Sequence, residues 1–584
     1  METWNLDALF TSYDDASFKA SVKALEALVD EANAMVQVLD TTRDAKKKLE
    51  SVIELATRLR SQFLKTIAYV NLRLATDARD ETSNATMNQL QQLASKTTDF
   101  NTKVSKFVPQ IDNLESVIES SEILQEHRFY LMRIKDNAKH VLSDKEEALI
   151  AKMSQTGSSA WSRLQGLLTS ILEVDYDDET LTLPAVRNKA HSKDANVRKK
   201  AYEAELASYK KIEQSVAAAL NGVKGEVNEL ATLRGFKSPL DQAVYNSRME
   251  RKTLDALITS MRKHLPIFRK YLKRKAKVLG HKNGLPWYDL FAPLGSSERT
   301  FTTDEAIDYV EKNFKTFGDD LANLARRAHD DEWIDYTPRA GKRGGAFCMN
   351  IHPIKQSRIL TNFDGSFSNV ITLAHELGHA YHGDKIFDES ILNASYTMPV
   401  AETASTLCET IVKKAALEDS KGDEQLFILE QSLMGSTQVI VDIMSRFIFE
   451  ENVFKARQTT PLSPERYNKM MLDAQKEAYG DALNHDVLHP YMWINKGHYY
   501  SGSLSFYNFP YAFGLLFAKG IYAEFQKRGK AFAKQIDTLL AKTGQMTVED
   551  VAALVDIDVS DASFWDHSLA VIEEEIALFL SITK

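Results

Sequence analysis

The sequence predicts an all-α protein with a small β element beside one chemical motif. Three observations carry this expectation. Glycine (24) and proline (13), the two residues that break helices, are scarce for 584 residues. Apolar residues recur at spacings of three and four through most of the chain. Only residues 333–367 gather glycine and proline between short apolar runs. The length exceeds one ordinary core, so two or more subdomains are expected. The breaks divide the chain into an N-terminal helical hairpin region (1–115), a helical subdomain (116–330) and a catalytic helical region (331–584).

Val22, Leu25, Leu28 and Val29 share one helix face. Asp40-Thr41-Thr42 interrupts the pattern and offers an N-cap for a second helix through Leu49, Val52, Leu55 and Leu59, making a hairpin. A periodic stretch runs from Thr86 to Phe107, and Pro109 and Asn113 break it. Residues 116–175 read as helix, and Thr180–Pro184 alternates as a short strand. Helical runs follow over 195–233 and 251–278, separated from the β element by an irregular segment, 280–303. Short apolar runs at Gly345–Met349 and Arg358–Asn362 mark the strands. Helices resume after Ser368, except around the glycine- and aromatic-rich segment 496–514.

Composition excludes several classes. Hydrophobic residues at 44% and charged residues at 26% describe a globular chain and not a disordered one. Net charge is −9 with no basic tract, so no nucleic-acid partner is expected. No apolar run approaches membrane length, and the acidic N-terminus lacks a signal-peptide core. Two cysteines, Cys348 and Cys408, exclude a disulfide scaffold and read as buried small hydrophobes. The expected compartment is the cytoplasm.

One motif carries chemistry. His375-Glu376-Leu377-Gly378-His379 is His-Glu-x-x-His. On a helix, four residues turn through about 400°, so the two imidazoles lie roughly 40° apart on one face. That spacing suits one zinc ion, with Glu376 beside it as general base for a water. Chance would supply such a motif only about 0.02 times in this composition. The flanks Val370, Ile371, Leu373, Ala374, Leu377 and Ala380 are apolar, so the helix is expected to be buried.

A catalytic zinc takes a third protein ligand and keeps one open position. His382 is three residues past His379; ligation from the same short helix would crowd the metal, so it reads as a polar lining or substrate contact. After a break at Asn393–Thr397, Met398-Pro399 opens a new helix carrying Glu402, 402 − 379 = 23 residues beyond the second histidine. Glu409 is seven residues further, nearly two turns, on the same face. Glu402 is assigned as ligand and Glu409 as the carboxylate orienting a ligand imidazole, with the reverse assignment open.

The strings Leu373–His382 and Ala401-Glu402-Thr403-Ala404-Ser405 resemble the oligoendopeptidase F family, zinc peptidases related to thimet oligopeptidase and neurolysin. Trp287–Phe291, Gly344-Gly345-Ala346-Phe347-Cys348, His498-Tyr499-Tyr500 and Phe506–Ala512 extend the resemblance, mainly over residues 285–515. It implies a nearly all-helical fold of two halves around a deep channel. It also implies one zinc held by His375, His379 and Glu402, with Glu376 as base, and short unstructured peptides as substrates, cut internally. A histidine and tyrosines of a later loop bind substrate and the oxyanion in this family; His498 and Tyr500 or Tyr507 occupy that region. Thimet-type members have Tyr-Tyr-Gly-Tyr where this chain has Phe506-Tyr507-Asn508-Phe509.

Gly344, Gly345 and Ala346 read either as a strand edge for an extended peptide or as a tight turn. Tyr499, Tyr500, Tyr507 and Tyr511 read either as active-site contacts or as core aromatics. Two alternative functions remain beside the endopeptidase: a zinc carboxypeptidase, or a peptide-binding protein without catalysis.

Overall fold

A computed structural model describes residues 3–584. The expected hairpin is present as helices Ala16–Val38 and Ala45–Thr76. Leu25, Val29 and Ala32 of the first pack in one cluster with Leu49, Val52 and Ile53 of the second. The second helix starts later than Asp40–Thr42, after Asp44 in the left-handed region (φ 57°). Asp40 instead pairs with Lys103 at 2.7 Å.

The run 86–107 is two helices, Glu81–Ser95 and Thr98–Phe107. The expected helix over 116–175 breaks into short pieces, and the last ends at Ser170. Residues Glu173–Tyr176 (β1) pair antiparallel with Glu179–Thr182 (β2). Val174 and Tyr176 are buried while Glu173 and Asp175 are exposed, a period of two that the acidic residues mask in sequence. The run 195–233 is also two helices, Ala195–Tyr209 and Glu213–Leu233. Arg251–Val278 is one helix and continues through Pro266.

Two hydrophobic cores organise the described residues. One gathers Trp4 to Leu131, and the other runs from Leu172 to Phe579. The small sheet is the seam between them. Ile334–Asp335 (β3), Gln356–Leu360 (β5) and Phe347–Ile351 (β4) lie in the order β3-β5-β4, with β4 and β5 antiparallel. Strand alternation sends successive residues to opposite cores. Phe347, Met349, Ile351 and Leu360 join the first core, whereas Cys348 and Ile359 join the second. The second face of β4 packs against the helix Phe367–Ile386, which carries His-Glu-x-x-His.

Candidate active site

Ser366 opens the motif helix Phe367–Ile386 by accepting the backbone N–H of Asn369, one of the donors a helix start leaves unpaired. Val370, Leu373, Ala374, Leu377 and Ala380 are all fully buried. Two glycines let neighbours approach this helix. A Cβ on Gly378 would lie 2.6 Å from Ser405 Cα, so the motif helix meets the return helix, Thr403–Asp419, backbone to backbone. A Cβ on Gly383 would run into the side chain of Asn350 on β4. Asn350 in turn donates to the His379 carbonyl at 3.1 Å.

Glu402 joins the short helix Met398–Ala401 to the return helix. A third helix, Phe509–Arg528, closes over it: a Cβ on Gly514 would lie 3.1 Å from Glu402 Cβ and 3.3 Å from the Pro399 carbonyl. Ser405 donates its hydroxyl to Glu402 Oε2 at 2.8 Å.

His375 Nε2 and His379 Nε2 stand 3.1 Å apart, and they lie 3.3 Å and 3.4 Å from Glu402 Oε2. Three donors at the corners of a tetrahedron with bonds of about 2.0–2.1 Å are separated by roughly 3.3–3.4 Å. The donor set therefore fits a zinc ion in both chemistry and spacing. Burial opposes the charged form of His375, but Glu402 and Glu409 outweigh it and push the imidazole up to about 10. Despite burial, the two imidazoles hold Glu402 far below the usual carboxylate range.

The other nitrogen of His375, Nδ1, lies 2.6 Å from Glu409 Oε1, and Lys413 donates to Glu409 Oε2 at 2.5 Å. Glu409 thus lies on the ring nitrogen of His375 that faces away from the donor triangle. Glu376 is 6% exposed, and its Oε2 is buried without a hydrogen-bond partner. Burial raises its carboxyl above the usual range, with the neighbouring imidazoles opposing. An orphaned carboxylate oxygen beside three converging donors is where a reacting water needs a base.

The segment after Lys496 supplies the aromatic wall. Tyr507 and Tyr511 hydrogen-bond through their hydroxyls. Burial, then the Tyr507 hydroxyl and the Glu402 charge, raise the Tyr511 hydroxyl above its usual value, so it stays a neutral donor. The His498 ring lies 5.4 Å from that of Tyr507, and its Nε2 is buried without a partner. Burial, with Arg446 and Lys496 nearby, pushes His498 down to about 3, so it is a neutral imidazole.

The structure removes three expected residues from the reacting face. Tyr500 is fully enclosed, and its hydroxyl donates to the Trp493 carbonyl at 3.1 Å. Tyr499 is equally enclosed and packs on Phe449. The short turn Gly497–Tyr500 points these two rings into the core and leaves His498 beside Tyr507. His382 is buried, stacked on Tyr396 with ring centroids 4.2 Å apart, and its Nε2 meets Thr543 Oγ1 at 2.8 Å. Gly345 has φ 79°, a left-handed conformation that demands glycine, and Gly344 and Ala346 flank it just before β4. Ser405, Lys413 and Asn350 were not anticipated. Ser405, three residues past Glu402, and Lys413, four past Glu409 on the return helix, carried a spacing signal; Asn350 did not.

The family model described as Peptidase family M3 matches residues 189–570, and one described as Oligopeptidase F matches residues 111–173. Oligopeptidase PepF of Bacillus subtilis is 27% identical, over 98% of this chain and 86% of its own. Group B oligopeptidase PepB of Streptococcus agalactiae is 26% identical, over 98% and 96%. Among solved structures, a chain from Chlamydophila abortus superposes with a TM-score of 0.86 at 21% identity, covering 100% of this chain and 98% of that one. Oligoendopeptidase-F from Enterococcus faecium gives 0.71 at 19% identity, covering 97% and 99%. The structural likenesses show the fold.

Proposed function

This chain belongs to peptidase family M3, and from that premise we propose that it is a zinc-dependent endopeptidase of short, unstructured peptides, with one ion per chain held by His375, His379 and Glu402. The observation that carries the reading is the donor triangle with sides of 3.1, 3.3 and 3.4 Å beside the orphaned Glu376 oxygen. Its relatives named oligopeptidase and oligoendopeptidase F support oligopeptides as the substrate class. Two free thiols support a reducing compartment such as the cytoplasm, and no described helix is long and apolar enough to cross a membrane.

When bound, zinc supplies Lewis acidity and brings the pKa of a coordinated water to about 7. Glu376 Oε2 takes the proton from the attacking water and passes it to the departing amine nitrogen. Glu409 and Lys413 hold the His375 ring in place through Nδ1. Tyr507, Tyr511 and neutral His498 donate to the oxyanion as the carbonyl becomes tetrahedral. An extended peptide lies along β4, which has β5 on one side and no strand on the other among the described residues. Gly344, Gly345 and Ala346 lead into that edge and admit close backbone approach.

The test is Glu376→Gln assayed with an internally quenched peptide blocked at both ends. Zinc content stays at one per chain while kcat falls by about 10²–10⁴-fold. Normal turnover by this variant refutes Glu376 as base. A wild-type chain that trims only free C-termini refutes the endopeptidase reading in favour of a carboxypeptidase.

A further inference from the structure

Behind the loop that carries His498 lies a cavity of about 570 Å³ that the reaction above does not use. Its wall draws on segments far apart in the chain, including Arg187, Arg198, Arg446 and Lys496. Three of these cations are matched. Arg198 pairs with Asp289 at 2.7 Å, Arg187 with Glu205 at 3.1 Å, and Arg446 with Asp442. The Lys496 ammonium makes no hydrogen bond or ion pair among the described residues. Two further polar atoms of the wall, Asn495 Oδ1 and Arg446 Nε, are buried without partners. An acceptor, a donor and an unmatched cation form the complement of a peptide end, which brings an amide N–H, a carbonyl and a carboxylate.

We propose that this cavity receives the C-terminal carboxylate of the bound peptide, with Lys496 as its counter-ion. The proposal rests on the peptidase reading, because it names a subsite of the same substrate. The position fits: Lys496 is two residues before His498, at most about 7 Å of chain. The His498 ring adjoins Tyr507, and Tyr507 bonds Tyr511 near Glu402. A peptide advancing about 3.3 Å per residue would cover this path in a few residues beyond the cut bond. The size fits too. The cavity lies within the roughly 300–1,000 Å³ of small-ligand sites, far more than a bare inorganic anion fills. Leu183, Val186, Trp287 and Phe291 give apolar surface for the terminal side chains. Burial, reinforced by Arg446, lowers Lys496 to about 8, so the ammonium is still charged at neutral pH.

The test is a cycle between one substrate change and one protein change. Twin peptides with a free or amidated C-terminus are turned over by wild type, Lys496→Gln and Lys496→Arg. In wild type, amidation raises KM by about 10- to 100-fold, the range for one charge-assisted hydrogen bond. In Lys496→Gln the twins become equal, and Lys496→Arg restores the difference. The same peptides are titrated by fluorescence anisotropy against the Glu376→Gln chain, with and without Lys496→Gln, so the cavity is judged even if wild type shows no turnover. Absence of turnover counts against the peptidase reading alone. An amidation penalty that is equal with and without Lys496 overturns the proposal. So does full rescue of an amidated peptide by a terminal aspartate, since the cavity would then read a side chain and not the chain end.

Discussion

The donor triangle and the loop from Asn495 to Tyr511 are close neighbours built in opposite ways. Around His375, His379 and Glu402 the backbone leaves no slack. Gly378 and Gly383 each admit a neighbour at a distance a Cβ would forbid, Gly514 leaves only a tight fit against Glu402, and Ser405, Glu409, Lys413 and Asn350 occupy the outer polar groups. Along the loop the reverse holds. Asn495 Oδ1 and His498 Nε2 are buried without partners, and Lys496 lines the cavity without an ion pair among the described residues. The difference teaches that the triangle is finished before ligand arrives, whereas the loop is completed by it. A metal centre profits from rigidity because ligand geometry sets affinity. A peptide subsite keeps unmatched groups because their missing partners belong to the substrate.

Removing the metal should give the largest effect, since it empties the rigid region of its purpose. Dialysis against a chelator should abolish turnover, and stoichiometric zinc should restore it; activity that survives complete removal breaks the comparison on its rigid side. Next comes the loop. Tyr507→Phe and Tyr511→Phe should each lower kcat by about 10²–10³-fold at nearly unchanged zinc affinity. Tyr500→Phe, deprived only of its bond to the Trp493 carbonyl, should cost about 1 kcal/mol of stability and leave kcat unchanged. Equal kcat losses for Tyr500 and Tyr507 would erase the distinction between core and reacting face. Glu409→Gln should weaken zinc binding by about 10–100-fold in competition with a chromogenic chelator, with kcat near normal at saturating zinc. The last expected effect is in stability alone: Gly378→Ala should destabilise the fold by about 1–3 kcal/mol by pushing the motif and return helices apart. Unchanged stability there would show slack where none is expected.

Legibility in sequence follows the same division. His375 and His379, one turn apart, and Glu402 and Glu409, seven residues apart, could each be paired from spacing, whereas the meeting of their two helices at Gly378 could not. β4 and β5 were visible as apolar runs between glycines and prolines. β1 was not, because Glu173 and Asp175 continue the polar pattern of the preceding helices and only burial reveals the alternation. Tyr499 and Tyr500 were ambiguous because a single tight turn decides which ring of His498-Tyr499-Tyr500 faces inward. His382 carries the composition of a substrate contact, yet Tyr396 and Thr543 from distant segments enclose it. The Lys496 cavity had no sequence signal at all, since its wall is assembled from segments hundreds of residues apart.

The most direct measurement is a crystal structure with zinc, phased at the zinc absorption edge. The account predicts one anomalous peak per chain bonded to His375 Nε2, His379 Nε2 and Glu402, with solvent or peptide in the fourth position next to Glu376. An ion bound elsewhere, or a fourth protein side chain such as Glu409 closing that position, would contradict it.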